Sequence, residues 1–509
     1  MNLDLQSRGL DARQRGHLRH FDNLARLPEN DWSLMGGRSI GQDDFGAYRF
    51  QLAYMAYAAA LTHVHRMPSA PGLFKPLMRR IFDKLLLPEV WLYWHNVSRG
   101  GSIFNRHLSD KYQEEWNPVR RDNIMFSAYV QSVALLYSYL FDDDSLSKES
   151  SIKFKYWSYF WGGEAKEFSY DENSLNDHVY WLMAENGFLG VPCEPNCIFQ
   201  ICNQPAILGF RLHDLRHGGT RAEEVVQAYE AAWRQFGRVG ENGHYHVMLA
   251  ADTKAVRPNL GRSPWVDAWC GALMNMWNRD FVRANYPRQI EDLLHQGPDG
   301  TLSVRPPNRP EVMGQRIVSD DCDFGWAAAW TSEMGDATRL QGLLAHADRF
   351  MQPSWHRGGL YYPRNDELED GFGNRTLVEP HTGNVLLAYA RLNVPDGLWQ
   401  LYNNKLEPEF FTWPALTEVG VDVDLHSAWF QDEALRFRME LRKKGEGHVV
   451  IGRTAARGAW VLSCDGRVQA RGTGSHVDST ESAQVLSGLG GIVIDCPPNG
   501  VHDFELQFS

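Results

Sequence analysis

No run of eighteen apolar residues occurs in this 509-residue chain, so no membrane span is expected. Basic charge is also in short supply: the formal net charge is −12, which argues against a general nucleic-acid binder. Neither a phosphate-binding glycine loop nor a dinucleotide fingerprint is present, and no repeat recurs at a fixed period. Cysteines number seven, odd and irregularly spaced, which predicts reduced thiols rather than a disulfide framework. Residues 1–30 hold Arg8, Arg13, Arg15 and Arg19 and no apolar core of a secretory signal. Together these absences predict a cytoplasmic protein that binds neither nucleic acid nor membrane.

Aromatics, by contrast, are plentiful: 18 Trp, 19 Tyr and 25 Phe. They predict a large aromatic core or a deep apolar pocket. Apolar stripes at helical spacing run through 46–65 (Phe50, Ala53, Tyr54, Tyr57, Leu61) and 122–141 (Ile124, Phe126, Tyr129, Val133, Leu136, Leu140). Further helices are predicted at 174–186, 196–216, 221–237, 264–284, 325–334, 336–350 and 381–391. Ten to twelve helices without intervening strands suggest a closed ring of helical hairpins over residues 1–405. Beyond residue 405 the pattern changes. The segments 435–443, 447–453, 458–464, 490–496 and 502–508 are short, β-branched and bounded by glycine turns, which predicts a small antiparallel β-sandwich-like accessory domain over 406–509.

The stretch Cys193-Glu194-Pro195-Asn196-Cys197-Ile198-Phe199-Gln200-Ile201-Cys202-Asn203 holds three of the cysteines. Glu194-Pro195-Asn196 has the composition of a helix start, which would place Cys202 two turns into the same helix. A thiol just before a helix has a lowered pKa and exchanges protons, whereas free cysteines elsewhere are commonly buried packing. Asp320-Asp321-Cys322-Asp323 reads as a helix N-cap before Phe324-Gly325-Trp326, and Asp142-Asp143-Asp144 as a solvated helix end. The pairs His63/His65 and His244/His246 lack partners at a recognised metal spacing, so no metal is expected.

Gly190-Val191-Pro192-Cys193-Glu194-Pro195-Asn196, closed by Cys202-Asn203, resembles the signature of the linalool dehydratase/isomerase family. The resemblance extends in order through Arg49-Phe50-Gln51-Leu52-Ala53-Tyr54-Met55-Ala56-Tyr57, Trp91 and Trp94, Asn123-Ile124-Met125, Ser263-Pro264-Trp265, Asp320-Asp321-Cys322-Asp323 and Glu333-Met334-Gly335-Asp336. It covers roughly residues 15–395 and leaves out the terminal β domain. It implies an (α/α)6 barrel, no cofactor, a ring-shaped homo-oligomer, and removal or addition of water on small terpene alcohols. By motif it assigns Cys193 and Cys202 as catalytic and Met125 as pocket-lining, with Asp22 as the match for the family's aspartate. The sequence departs from the family where a histidine is expected, at Tyr129, a weaker acid that still donates a hydrogen bond or a proton. This departure points to a larger, less polar substrate than the prototype's.

The resulting expectation is a cofactor-independent lyase/isomerase or cyclase acting on a small hydrophobic terpenoid-type substrate of secondary metabolism. Cys193, Cys202, Asp22 and Tyr129 are the catalytic candidates. Met125, Glu194, Trp94, Trp265, Trp269, Phe50 and Asp321 are the candidates for contact with substrate. The same residues fit a pericyclase that positions a polyene. A carbohydrate-active enzyme on an (α/α)6 barrel would instead need two carboxylates or a His–Tyr pair across an open cleft.

Overall fold

The computed structural model describes all residues except 1–8, 40, 101–102, 109, 161–162, 313–314, 317–319, 443–446 and 482–484. Arg8 therefore lies outside the described residues. The chain divides into two compact units. One comprises residues 20–58 and 80–405; the other gathers 1–19, 59–79 and 406–509.

The larger unit is mainly helical and built in two layers. Helices Ile124–Phe141, Pro264–Met274 and Asp323–Met334 are buried along their whole length. Ile124–Phe141 packs on Gln204–His217, and Asp323–Met334 packs on both Pro264–Met274 and Leu387–Leu392. Close approach is possible because the first of these two neighbours carries Gly271, where a Cβ would lie 2.5 Å from the indole of Trp330. Between these inner helices the chain makes outer ones with a single buried face. In Arg221–Trp233 only Ala222, Val225, Tyr229 and Trp233 are buried, and in Ala337–Phe350 only Gly342, Leu343, His346 and Ala347. That three-to-four spacing is the mark of a helix with one face on a core. The helix Ile124–Phe141 is long and apolar enough to cross a membrane, with mean hydropathy 1.4, but all of it is buried inside the unit.

Three expectations about this unit fail. Strands do intervene: antiparallel pairs form at Ile152–Tyr156 with Lys166–Tyr170 and at Leu294–Gln296 with Leu302–Val304, and a three-stranded sheet joins Cys197–Ile198, His246–Ala250 and Val256–Pro258. Residues 264–284 are two helices, Pro264–Met274 and Arg279–Leu293. No helix begins at Glu194; the helix expected over 196–216 starts at Gln204.

Among the described residues of the other unit, ten strands form two antiparallel sheets. The smaller orders Ala415–Val419, His448–Gly452, Gly491–Asp495 and Val485–Gly488. The larger orders Val423–Gln431, Ala434–Leu441, Val501–Phe508, Ala459–Cys464, Arg467–Thr473 and His476–Thr480. Alternation sets the core face, as in Ala434–Leu441, where Leu435, Phe437 and Met439 are buried. The N-terminal pieces pair with this sheet framework: Leu10 N–H donates to His426 O (2.7 Å) and Leu416 N–H to Ser69 O (2.8 Å).

Candidate active site

The signature segment is a tied loop. Glu194-Pro195-Asn196-Cys197 is a tight turn closed by Cys197 N–H to Glu194 O at 2.9 Å, with Asn196 at φ +69°. Proline at the second position and asparagine with positive φ at the third are the chemistry of a type II turn, which explains why no helix starts here. Cys193 N–H then bonds Cys197 O (2.9 Å), and Cys197–Ile198 pairs with Leu249–Ala250.

Asn203 closes the loop from the other side. Its Oδ1 accepts from Val191 N–H at 2.9 Å, and its Nδ2 donates to Val191 O (3.2 Å) and Phe199 O (2.9 Å). Gly190 must be glycine beside it: φ is +117° and a Cβ would sit 2.8 Å from Asn203 Nδ2. Because Val191 and Asn203 are clamped together, Cys193 and Cys202 become neighbours, and their thiols hydrogen-bond. The short 3-10 turn Ile201–Asn203, rather than a continuous helix, carries Cys202.

A helix N-terminus does face Cys193, but it belongs to Ile124–Phe141. Ile124 N–H donates to Pro192 O (3.2 Å), and Met125 N–H donates to the Cys193 sulfur. The sulfur thus receives bonds from Cys202 and Met125, which favour its thiolate. Burial and the adjacent Glu194 carboxylate oppose them and prevail, so the Cys193 pKa is raised rather than lowered. Burial drives the Cys202 thiol well above its ordinary value, and its bond to Cys193 adds to the rise. Burial also raises Glu194, against the pull of Arg49 and of the hydrogen bond from Cys193. Both thiols therefore titrate above the ordinary range, the opposite of the lowered pKa expected of a thiol just before a helix.

These groups open onto a cavity of about 290 Å3. One wall is Cys193, Glu194, Cys197, Phe199, Ile201 and Cys202, joined by Met125 and Met248. The facing wall is aromatic, made of Phe45, Phe50, Trp265 and Trp269, with Asp43, Asp44 and Arg49 among them. Trp265 and Trp269 come from one face of Pro264–Met274, and Trp269 stacks on Trp326 with centroids 4.4 Å apart. Arg49 is 5 % exposed; its guanidinium lies 4.3 Å over Phe50 and 3.9 Å over Tyr93 and donates to Gln42 O. Asp44 Oδ2 accepts from Arg38 N–H (2.8 Å) and Ser39 N–H (2.9 Å), while its Oδ1 is buried and receives no hydrogen bond from the described residues.

Phe50, Met125, Cys193, Glu194, Cys202, Trp265 and Trp269 thus line one cavity. The other candidates do not line it. Asp22 is held away, its carboxylate shared by Arg26 (2.7 Å) and Arg80 (2.5 Å). Two guanidiniums engage it, and the aspartates that reach the cavity are Asp43 and Asp44. Their position in the segment leading into Arg49-Phe50 was the available signal. Tyr129 is fully buried behind Phe50, edge-on at 6.2 Å, and faces Tyr54 and Tyr57. Trp94 is also fully buried outside the lining. Asp321 pairs with Arg309 (3.4 Å) and borders a smaller neighbouring cavity with Asp44, Phe45 and Glu379. Nor does the aspartate run cap a helix: Cys322 holds the cap position with no side-chain cap bond. Asp323 instead accepts from Trp265 N–H (2.7 Å), and Asp320 from the Trp265 indole N–H (2.6 Å), so these carboxylates orient the aromatic wall.

The sequence profile of linalool dehydratase/isomerase matches residues 49–368, from Arg49 through both cysteines and the aspartate run. The chain belongs to the linalool dehydratase/isomerase family. Membership indicates an enzyme of lyase/isomerase type. Among solved structures, similarity is found to an alpha-1,6-mannanase of a Salegentibacter species at 11 % identity, over 75 % of this chain and 98 % of that one, TM-score 0.41. An unsaturated glucuronyl hydrolase from a Bacillus species matches at 11 % identity over 77 % and 97 %, TM-score 0.39. An endoglucanase from Clostridium thermocellum matches at 9 % over 98 % and 92 %, TM-score 0.36. Likeness at these values says nothing about the substrate of this linalool dehydratase/isomerase family member.

Proposed function

We propose that the cavity carries out cofactor-independent acid–base chemistry on a hydrophobic, terpenoid-type allylic alcohol, on an (α/α)6 scaffold. The observation that carries this reading is the hydrogen-bonded pair Cys193–Cys202 beside Glu194 in a cavity walled by aromatic rings. Loss of water needs a proton for the leaving oxygen and a base for a carbon-bound proton. The Cys193 thiol is the donor: Met125 N–H and the Cys202 thiol both donate to its sulfur and offset the charge left when its proton departs. Glu194, the acceptor of the Cys193 hydrogen bond, takes the carbon proton and returns it to the thiolate. The alcohol becomes an alkene plus water and the residues regain their starting protonation. Re-addition of water at the other end of the allylic system gives the isomer.

Asp44 Oδ1 offers the acceptor for the substrate hydroxyl, and the rings of Phe50, Trp265 and Trp269 tolerate positive charge developing on carbon. The same walls suit a cyclisation, in which the carbocation is trapped by a second double bond.

The test is product analysis with acyclic isoprenoid alcohols of increasing length. We expect dehydration, isomerisation or cyclisation by the wild type and a fall of about 10²–10⁴-fold in Cys193→Ala, the usual size of an acid–base contribution. Unchanged turnover in that variant, or action on glycans with none on isoprenoid alcohols, overturns the reading.

A further inference from the structure

The β-sheet unit contains a second sulfur centre, unrelated in sequence to the first. Cys464 ends the strand Ala459–Cys464, Asp465 follows it in the turn at φ +49°, and His502 lies on the neighbouring strand Val501–Phe508. The Cys464 sulfur, one Asp465 carboxylate oxygen and one His502 ring nitrogen all lie within 4.8 Å of one another, the one such group of Cys, His and carboxylate ligands among the described residues.

Each donor is held in place. Asp465 N–H donates to Asp503 O (2.8 Å), and Asp465 Oδ1 accepts from Asp503 N–H (3.0 Å), which fixes the carboxylate. His502 Nε2 is 3.2 Å from Asn499 O. A carbonyl only accepts, so Nε2 donates to it. A backbone carbonyl on the far ring nitrogen is how metal-bound histidines are commonly oriented. Nδ1 then lies 2.8 Å from Asp465 Oδ2, an ionised acceptor, with the Cys464 sulfur 3.8 Å away on the same oxygen. A proton on Nδ1 accounts for the imidazole contact and the thiol proton for the sulfur contact; a metal ion that displaces both protons uses all three donors.

We propose that Cys464, Asp465 and His502 bind a zinc-type divalent cation, with a fourth position open to solvent on the side where Asp465 is exposed. Sulfur, imidazole and carboxylate donors at bond lengths of about 2.0–2.3 Å suit Zn2+, and tetrahedral bonds of that length need donors roughly 3.3–3.8 Å apart; sulfur and carboxylate stand at 3.8 Å, and the imidazole–carboxylate contact of 2.8 Å opens as the ion enters. No spacing motif announces the site, since Asp465 and His502 are 37 positions apart and meet only through strand pairing.

Co2+ serves as the probe, added to the full chain after chelation. We expect one equivalent to bind with visible ligand-field bands and a near-ultraviolet thiolate-to-metal band. Cys464→Ser should abolish the thiolate band, and His502→Gln should weaken binding about tenfold or more by metal-competition assay. The Cys193→Ala/Cys202→Ala double variant should keep both. Absence of Co2+ binding by the wild type overturns the proposal, as does a thiolate band that survives in Cys464→Ser. Loss of that band in the double variant would assign the metal to the cavity thiols and equally overturn it. None of these outcomes depends on turnover, so they stand or fall apart from the reading of the cavity.

Discussion

Two turns in this protein present sulfur to a carboxylate, and they do so in opposite media. Around Cys193 the turn is dry: both thiols are under a tenth exposed, and sulfur bonds sulfur. Around Cys464 the turn is wet, its carboxylate half exposed and its imidazole at hand. Burial raises the thiol pKa in both, to about 12 for Cys464, where Asp465 adds to the rise. What differs is the set of partners. A second thiol and a backbone amide suit a proton that leaves and returns; a carboxylate and an imidazole at ligand spacing suit a cation that stays.

The most damaging way to break this contrast is to wet the dry turn. Asn203→Ala removes the clamp on Val191 and leaves backbone groups unsatisfied, at a cost of about 1–3 kcal/mol. Turnover should fall by two orders of magnitude or more, and Cys193 and Cys202 should become reactive to a thiol reagent that leaves them untouched in the wild type. Reagent-resistant thiols in that variant would show that the loop is held by something else.

A smaller loss is expected from Glu194→Gln, which keeps the turn intact and removes its titrating group. As the accepting form is the carboxylate, wild-type kcat/KM should fall on the acid side, with a midpoint above the ordinary carboxylate range because burial raises Glu194. In Glu194→Gln that limb should vanish while turnover falls about a hundredfold, the lower end of a general-base contribution. A limb that persists assigns it to another group.

The smallest effect on turnover should come from Glu379→Gln, at a carboxyl that binds the backbone N–H groups of His381 and Thr382. Burial pushes its pKa from 4.5 up to about 8. Between these values the folded protein holds more protons than the unfolded chain, so stability falls as pH rises from 4.5 towards 8. His381, lowered by burial to about 3, runs the other way up to its unfolded value of 6.5. Above pH 6.5 only the Glu379 slope remains of the two. Glu379→Gln should flatten the decline of Tm between pH 6.5 and 8; an unchanged decline would place its cause elsewhere.

Much of this molecule was legible in its residues. Wholly apolar helices such as Ile124–Phe141 and one-sided ones such as Arg221–Trp233 announce themselves by period, and the cysteine signature with its flanking segments led to the family. Three kinds of information were not legible. Pro195-Asn196 suits a helix start and a type II turn equally by composition, and only the pairing of Cys197–Ile198 with the strand His246–Ala250 decides between them. Asp22 and Asp44 are alike as residues; Arg26 and Arg80 engage one, and the cavity receives the other. Among the strand pairs between helices, Leu294–Gln296 and Leu302–Val304 are too short to show alternation, whereas Ile152–Tyr156 alternates apolar and polar residues and was legible. In the β unit, strands as polar as His476–Thr480 carry no apolar signal at all.

The clamp at Asn203 has one further consequence. Because a single amide ties both ends of the loop, and the first turn of Ile124–Phe141 bonds Pro192 and Cys193, the two sulfurs act as a fixed jaw. Trp265, hung from Asp320 and Asp323, and Arg49, lying over Tyr93, belong to the opposite jaw, where accommodation of a larger guest is left to occur. Substitutions on that aromatic side therefore reshape the cavity while Cys193, Cys202 and Glu194 stay in place.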